Sequence, residues 1–198
     1  MKKEINPGLV QVYTGSGKGK TTAALGLALR AIGHGFRVCM IQFLKGSSYA
    51  GELFSTQRLK PEFDFFQFGR GCPYSSLIRH GLLNCNGCLE CFYRGEEEKR
   101  EEMKGYVDMA WDLTLEMVSD QNHQLIILDE IGNALRHELL ESSKLLKLMD
   151  EKPAGMELVL TGRGLPEEVL EAADLVSEIK AIKHPLEKGI NSRRGIEY

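Results

Sequence analysis

Residues 12–22 read Val12-Tyr13-Thr14-Gly15-Ser16-Gly17-Lys18-Gly19-Lys20-Thr21-Thr22, and this stretch decides the fold. An apolar run at 9–13 precedes its glycines, and helix-forming residues with apolar spacing follow at 23–29. A glycine-rich turn between a strand and a helix is typical of a phosphate-binding loop, because its backbone N–H groups and the helix N-terminus favour an anion. We predict that the Lys20 ammonium binds a nucleotide phosphate and that the Thr21 hydroxyl binds Mg²⁺.

The glycine spacing of this loop departs from the usual pattern in one place. That pattern is a glycine, four residues, and then Gly-Lys-Ser/Thr, which here would put a glycine at Thr14. The nearest glycine, Gly15, comes one residue late. An ordinary solvated turn is the alternative interpretation, but the flanking strand and helix, together with a later strand that ends in acids, favour the phosphate loop.

Composition and charge bound the class of protein. The chain has 198 residues, 42% hydrophobic and 27% charged, which fits one globular domain spanning 1–198. A net charge of −3 gives no electrostatic reason to expect a nucleic acid or an anionic membrane as partner. No apolar run is long enough to cross a bilayer, and the first strand follows the N-terminus with no room for a signal peptide. We expect a cytoplasmic protein whose five cysteines are thiols or metal ligands.

Apolar runs alternate with helical patterns along most of the chain. A long helix is predicted at 96–119, a short one at 142–149, and another opens at Pro166. This alternation predicts a three-layer, mostly parallel α/β sheet with helices on both faces. The strands are predicted at 9–13, 37–43, 63–68, 124–130, 157–163 and 174–180.

Two adjacent carboxylates end the apolar strand at 124–130. Asp129 and Glu130 occupy the position at which enzymes with a phosphate loop hold Mg²⁺, directly or through water. An acidic helix start is the alternative, because Asn133-Ala134-Leu135 follows. The phosphate loop upstream favours a metal site.

Several motifs together resemble the phosphate-loop corrinoid (cob(I)alamin) adenosyltransferases. The resemblance lies in the loop at 14–22, which explains the displaced glycine, and in the acidic motif at 128–135. It covers nearly the whole chain except about 51–120, and it implies a P-loop NTPase (RecA-like) fold. The other matching segments are 38–46, Leu160-Thr161-Gly162-Arg163, 172–176, Lys183-His184-Pro185 and 189–198.

The resemblance implies transfer of the 5′-deoxyadenosyl group of ATP to cobalt(I) of a corrinoid, with release of triphosphate. It implies a catalytic set of Lys20, Thr21 and Glu130, and a metal set of Thr21, Asp129 and Glu130 for Mg²⁺. A flavoprotein-type electron donor and a homodimer are also implied. The nucleotide-binding set comprises Thr14, Gly15, Ser16, Gly17, Lys18, Gly19, Lys20, Thr21, Thr22 and Arg163. Lys45, after the second strand, either faces the nucleotide or its co-substrate or is a solvated lysine.

A cysteine segment, residues 72–91, departs from what the resemblance leads us to expect. Its cysteines are Cys72, Cys85, Cys88 and Cys91, and the last three have the CxxCxxC spacing. Tetrahedral zinc on all four is the plainest interpretation, an iron–sulfur cluster is the second, and free or redox thiols the third. His80 is an alternative ligand, though a solvated histidine is the simpler interpretation. We also hypothesise that the segment covers the corrinoid, with Phe92 and Tyr93 as aromatic contacts.

Two other functions compete with adenosyl transfer. A P-loop nucleoside or small-molecule kinase, or an ATPase, with a four-cysteine metal element would release ADP rather than triphosphate. A carrier of ATP or of a corrinoid would need no catalytic groups, and the intact Lys20, Thr21, Asp129 and Glu130 argue against it.

Overall fold

A computed structural model describes residues 4–88 and 90–198 of the chain. Within these residues there are six strands and seven α-helices, and one or two helices follow most strands. The strands are β1 (Val10–Thr14), β2 (Val38–Phe43), β3 (Phe63–Phe68), β4 (Leu125–Asp129), β5 (Glu157–Thr161) and β6 (Leu175–Glu178). The helices are α1 (Lys20–Gly33), α2 (Gly51–Gln57), α3 (Ser75–Arg79), α4 (Arg100–Asp120), α5 (Ile131–Arg136), α6 (Ser142–Glu151) and α7 (Glu167–Glu171).

All six strands are parallel and form one sheet in the order β3-β2-β4-β5-β1-β6. The phosphate-loop strand β1 and the acidic strand β4 are therefore separated by β5. This is the predicted parallel three-layer α/β fold of the RecA-like P-loop class. Because parallel strands all end at one edge, the loops after β1, β2, β4 and β5 share that edge.

Alternate side chains of the central strands face two separate apolar cores. Val38 and Met40 of β2 pack with Ala24 and Ala28 of α1 on one face. Cys39, Ile41 and Phe43 of the same strand pack on the other face, with residues of α4, α5 and α6. All six residues of β2 are buried, as expected for a parallel strand covered on both faces.

The structure confirms the predicted strands to within two residues at most ends, but two helices have no counterpart in the sequence analysis. These are α2 and α3, of seven and five residues, too short to show a helical period. The helix start considered as the alternative at Asp129 and Glu130 is present as α5, which begins directly after Glu130. The predicted helix at 96–119 begins as a 3₁₀ turn at 97–99 and becomes α-helical at Arg100. Among the helices of the described residues, none is both long and apolar enough to cross a bilayer.

Candidate active site

The phosphate loop leaves β1 and is held against the end of β6. The N–H of Gly17 donates to the carbonyl oxygen of Ile179 at 2.7 Å. A Cβ atom on Gly15 would lie 2.4 Å from that same oxygen, and one on Gly17 would lie 2.8 Å from it. Gly15 also has φ +102°, whereas Thr14 is the last residue of β1 and pairs with Glu178. The loop therefore needs glycine at 15 and 17 and not at 14, which explains the displaced glycine.

Lys20 begins α1 and turns its ammonium back over the loop. Its Nζ donates to the carbonyl oxygens of Gly15 and Gly17, at 2.8 and 2.9 Å. Burial lowers the pKa of Lys20, and the Glu130 carboxylate opposes that effect. A buried ammonium held only by neutral carbonyls is well placed to exchange them for phosphate oxygens.

Asp129 is fully buried at the end of β4 and collects hydrogen bonds from three elements. Its Oδ1 accepts from the Thr21 hydroxyl at 2.9 Å and from the Thr161 hydroxyl, at the end of β5, at 2.7 Å. Its Oδ2 accepts from Gln42 Nε2 of β2 at 2.9 Å. This carboxylate is therefore fixed in one orientation beside the phosphate loop.

Gln42 extends this polar network across the sheet. It stands in register between Asp129 of β4 and Gln67 of β3. Gln67 Nε2 donates to Gln42 Oε1 at 2.7 Å, so the amide of the buried Gln42 is satisfied on both sides. The network therefore runs from β3, an outermost strand of the sheet, through Gln42 to the carboxylate of Asp129.

Glu130 adopts the left-handed region, with φ +61°, immediately before α5. Its N–H donates to the Thr161 hydroxyl at 3.0 Å, and its Oε2 accepts from Asn133 Nδ2 at 2.9 Å. Burial, and next the charge of Asp129, raise the pKa of Glu130. Positive φ at a residue other than glycine costs about 1–3 kcal/mol and is concentrated at functional sites.

Lys45 follows β2 and forms ion pairs with two carboxylates, those of Asp129 and Glu52. Its Nζ is 3.5 Å from Asp129 Oδ2 and 3.8 Å from Glu52 Oε1 of α2. Burial alone would lower the pKa of Lys45. The nearby carboxylates of Asp129 and Glu52 outweigh that effect, so that the pKa is raised above its ordinary value. Lys45 is thus an ion-paired residue and not a solvated one.

The remaining predicted nucleotide ligands lie around the same edge. Ser16, Lys18 and Thr22 are exposed on the loop and at the start of α1, and Arg163 is exposed after β5. Its positive charge is near enough to Lys20 and Glu130 to contribute a downward shift to the pKa of both side chains. Lys18 Nζ contacts the C-terminal tail, residues 192–198, at 3.5 Å from the Ile196 carbonyl oxygen and 3.8 Å from Glu197 Oε1.

The oxygen atoms around Thr21 fit a magnesium ion. Octahedral Mg²⁺ holds oxygen ligands at about 2.0–2.1 Å, so that neighbouring ligands lie about 3 Å apart. Thr21 Oγ1 and Asp129 Oδ1 are 2.9 Å apart. Hard oxygen donors at this separation are the chemistry that Mg²⁺ requires, and Glu130 adds a further carboxylate nearby.

The cysteine segment brings three of its four thiols together. Cys72 and Cys91 are buried with Tyr49 and Ile78, and Cys85 packs against this group. The Tyr49 hydroxyl lies 3.7 Å from Cys85 Sγ, and the Cys85 N–H donates to the Tyr198 hydroxyl at 3.4 Å. Cys88 is exposed. Across residues 4–88 and 90–198, no three His, Cys, Asp or Glu side chains stand in an arrangement ready to hold a metal.

A cavity of about 120 Å³ is lined both by the cysteine segment and by residues that follow β2. Its lining includes Lys45 and Glu52 together with Cys85, Cys88 and Phe92. The tail contributes Ser192, Glu197 and Tyr198, whose ring meets that of Tyr49 edge-on at 5.1 Å. Since Lys45 also contacts Asp129, the cavity adjoins the predicted metal site. Tyr93, by contrast, is buried against His137, and His80 is exposed.

Three residues of this site were absent from the predicted site set: Gln42, Thr161 and Asn133. Gln42 carried a usable signal, because it is a polar residue inside an otherwise apolar buried strand. Thr161 carried a weaker one, as the last residue of β5. Their contact with Asp129 depends on the strand order, which the sequence does not state.

Comparison with known proteins is consistent with this geometry. Residues 6–198 match the family model described as ATP:corrinoid adenosyltransferase BtuR/CobO/CobP. A corrinoid adenosyltransferase of Sinorhizobium is 33% identical over 197 residues, covering 99% of this chain and 83% of that protein. The enzyme of the same name in Pseudomonas aeruginosa is 31% identical, with 96% and 84% covered, and that of Escherichia coli K12 is 30% identical, with 96% and 86% covered.

Solved structures with a similar chain path are more distant in sequence. A KaiC-like protein of Pyrococcus horikoshii matches with a TM-score of 0.46 at 15% identity, over 90% of this chain and 81% of that one. The genome-packaging NTPase B204 of Sulfolobus turreted icosahedral virus 2 matches with a TM-score of 0.39 at 14% identity, over 92% and 79%.

Proposed function

Because the chain belongs to the ATP:corrinoid adenosyltransferase family, which transfers the adenosyl group of ATP to a corrinoid, we propose that Mg²⁺–ATP binds at the edge formed by β1, β4 and β5. The observation that carries this proposal is the 2.9 Å contact between Thr21 Oγ1 and Asp129 Oδ1 beside the phosphate loop. Thr21 and Asp129 would hold the metal, with Glu130 beside them. The loop N–H groups, Lys20 and Arg163 would hold the triphosphate.

The reaction requires positioning and charge stabilisation more than acid–base catalysis. Cobalt(I) donates an electron pair to the ribose 5′ carbon, a cobalt–carbon bond forms, and the C5′–O bond breaks with its pair going to triphosphate. Cobalt ends as cobalt(III), and no proton has to be removed. Lys20 would release the carbonyls of Gly15 and Gly17 and neutralise the charge that develops on the leaving triphosphate.

The proposal also covers the electron donor, the cellular location, the domain organisation and the oligomeric state. A flavoprotein-type donor would reduce cobalt(II) before transfer, and the reaction would take place in the cytoplasm. The chain would act as one domain, 1–198, with the cysteine segment as an insert, and as a homodimer. Light scattering of the purified protein tests the dimer.

Anaerobic incubation with Mg²⁺–ATP and chemically reduced cobalamin tests the reaction itself. We expect loss of the cobalt(I) absorbance, formation of adenosylcobalamin, and release of triphosphate in equal amount. ADP without a cobalt–carbon product would replace this proposal with the kinase or ATPase alternative. Cobinamide as a second acceptor shows whether an incomplete corrinoid is accepted.

The cysteine segment would hold a thiolate-bound metal, zinc in preference to an iron–sulfur cluster, on Cys72, Cys85, Cys88 and Cys91. Three thiols already share one apolar cluster, and Gly87, with φ +71°, supplies between Cys85 and Cys88 the left-handed residue that a tight CxxC turn favours. The Cys88 N–H also donates to Asn86 Oδ1 at 3.1 Å, which stabilises that turn. Residues 80–96 contain neither helix nor strand among their described positions, so a metal would supply the missing cross-link.

Metal analysis and cobalt substitution test this centre without any activity measurement. We expect one zinc per chain, and a tetrahedral thiolate spectrum when Co²⁺ replaces it. Cys88→Ser should lose the metal, whereas Cys39→Ala, which removes a buried thiol of β2, should keep it. A brown iron-containing protein would favour the cluster, and a metal-free protein whose four segment cysteines all react with a thiol reagent would favour free thiols. Unchanged corrinoid affinity and turnover in Cys88→Ser would refute a role of the segment in covering the acceptor.

A further inference from the structure

Lys45 occupies the boundary between the metal site and the cavity. Its backbone is fixed, because the Lys45 N–H donates to the Phe68 carbonyl oxygen of β3 at 3.2 Å. The preceding residue, Leu44, is buried and adopts φ +53°, a conformation that costs energy for any residue other than glycine. The chain thus holds a strained residue that directs Lys45 to this position.

The Lys45 ammonium is shared between two carboxylates and is tightly held by neither. Its distances of 3.5 Å to Asp129 Oδ2 and 3.8 Å to Glu52 Oε1 both exceed the range of a strong charged hydrogen bond. Asp129 is fully buried, and an isolated buried carboxylate is costly. Lys45 therefore neutralises Asp129 without being locked onto it.

A divalent cation at Asp129 must compete with the contacts already there. Thr21, Thr161 and Gln42 hold Asp129 at 2.7–2.9 Å, and all three are neutral. Lys45 is the charged partner and makes the longest contact. Because Mg²⁺ and an ammonium repel each other, Lys45 is the partner that a bound metal displaces most easily.

We propose that Lys45 is an exchangeable counter-ion: it neutralises Asp129 until Mg²⁺ binds, and it then turns towards Glu52 and the cavity. The proposal rests on the proposed magnesium site at Thr21 and Asp129. Lys45 is a positioning residue in this role, since it acts through Asp129. Its consequence is a fixed order, because the Lys45 ammonium, which already lines the cavity, is released from Asp129 only after the nucleotide's metal is in place. A corrinoid, whose periphery carries amide and carboxyl oxygens, would then find in the cavity a donor that the metal-free protein keeps paired with Asp129.

The test is Mn²⁺ binding to the nucleotide-free full chain, followed by electron paramagnetic resonance. We expect Lys45→Gln to bind Mn²⁺ about tenfold more tightly than the wild type, because the competing charge is gone. Lys45→Arg, which keeps the charge, and Lys147→Gln, which removes an exposed lysine paired with Glu151, should both match the wild type. Equal or weaker Mn²⁺ binding by Lys45→Gln overturns the exchange.

A second measurement on the unaltered protein guards against misfolding of the variants. Acetylation of individual lysines, followed by mass spectrometry, should be faster at Lys45 with saturating Mn²⁺ than without it, and unchanged at Lys147. An unchanged rate at Lys45 overturns the proposal. Neither experiment uses a corrinoid or measures adenosyl transfer, so failure of the exchange is distinguishable from failure of the proposed function.

Discussion

The hydroxyl of Thr161 donates a 2.7 Å hydrogen bond to Oδ1 of Asp129, and it accepts the N–H of Glu130 at 3.0 Å. One hydroxyl on β5 therefore orients both acids at the end of the neighbouring strand. Because the Thr161 and Asp129 side chains are both fully buried, water cannot replace the bond when it is lost.

Thr161→Val should therefore damage the metal site as well as the fold. We expect a loss of about 1–3 kcal/mol in the free energy of unfolding, together with weaker Mn²⁺ binding. Urea unfolding and Mn²⁺ titration measure the two effects. Thr114→Val is the matched control, since Thr114 is equally buried but bonds only the Ala110 carbonyl of its own helix. If both variants bind Mn²⁺ as the wild type does, Thr161 has no positioning role.

Gly15→Ala should disrupt the phosphate loop. The new Cβ would meet the Ile179 carbonyl oxygen at 2.4 Å in a backbone conformation with φ +102°, so the loop has to shift. We expect ATP affinity to fall about tenfold or more, as measured by calorimetry. Gly26→Ala, in the open middle of α1, should keep ATP affinity and raise stability by about 0.5–1 kcal/mol. Wild-type ATP affinity in Gly15→Ala would contradict the close packing.

Lys20→Met should strongly reduce the rate of adenosyl transfer and should change the free energy of unfolding little. The ammonium is the charged donor that the loop directs at the leaving triphosphate, and loss of one such donor costs about 10²–10³ in rate. Steady-state kcat/KM for adenosyl transfer measures this loss. Lys147→Met, at an exposed position, should retain the wild-type rate. A fall of only a few-fold for Lys20→Met would remove Lys20 from the catalytic set.

Glu130→Gln should change how stability depends on pH. Burial and then Asp129 raise the pKa of Glu130, so the folded protein favours the protonated acid. This acid therefore contributes stability at low pH that is lost as pH rises through its folded pKa. Glutamine mimics the protonated form, so we expect the variant to be more stable than the wild type near neutral pH.

The stability difference should vanish below about pH 4, where Glu130 is protonated in both the folded and unfolded wild type. Urea unfolding across this pH range measures it, with Glu151→Gln as an exposed control. A variant less stable than the wild type at neutral pH would show that the bond to Asn133 outweighs the cost of burying the charge. Adenosyl transfer should fall whichever way stability changes.

The sequence predicted the parts of the site that lie within one motif. Lys20 and Thr21 begin the helix after the glycine loop, and Asp129 and Glu130 follow an apolar strand, so both pairs can be located from the sequence. The structure places all four at one edge of the sheet. The roles of Gln42, Thr161 and Lys45 depend on which strands are neighbours. Because β5 inserts between β1 and β4, and β2 lies on the far side of β4, those contacts are properties of the strand order.

The contacts of the cysteine segment could be predicted from the sequence only in part. The CxxCxxC spacing predicts that thiols can approach one another, and the structure gathers Cys72, Cys85 and Cys91 around Tyr49. The spacing does not predict that Tyr198, from the end of the chain, packs into the same cluster. Long-range contacts of this kind leave no periodic signal in the segments that make them.

The hydrogen bond from Gly17 to Ile179 joins the phosphate loop to the residue that directly follows β6. A growing polypeptide can form β1 and α1 early, but it lacks this support until residue 179 has been synthesised. Nucleotide binding should therefore come late in folding, as a product of the finished sheet and not of the glycine motif alone. We expect a shortened chain that ends before β6 to carry every residue of the glycine motif and yet to lack the backbone support that orders the loop.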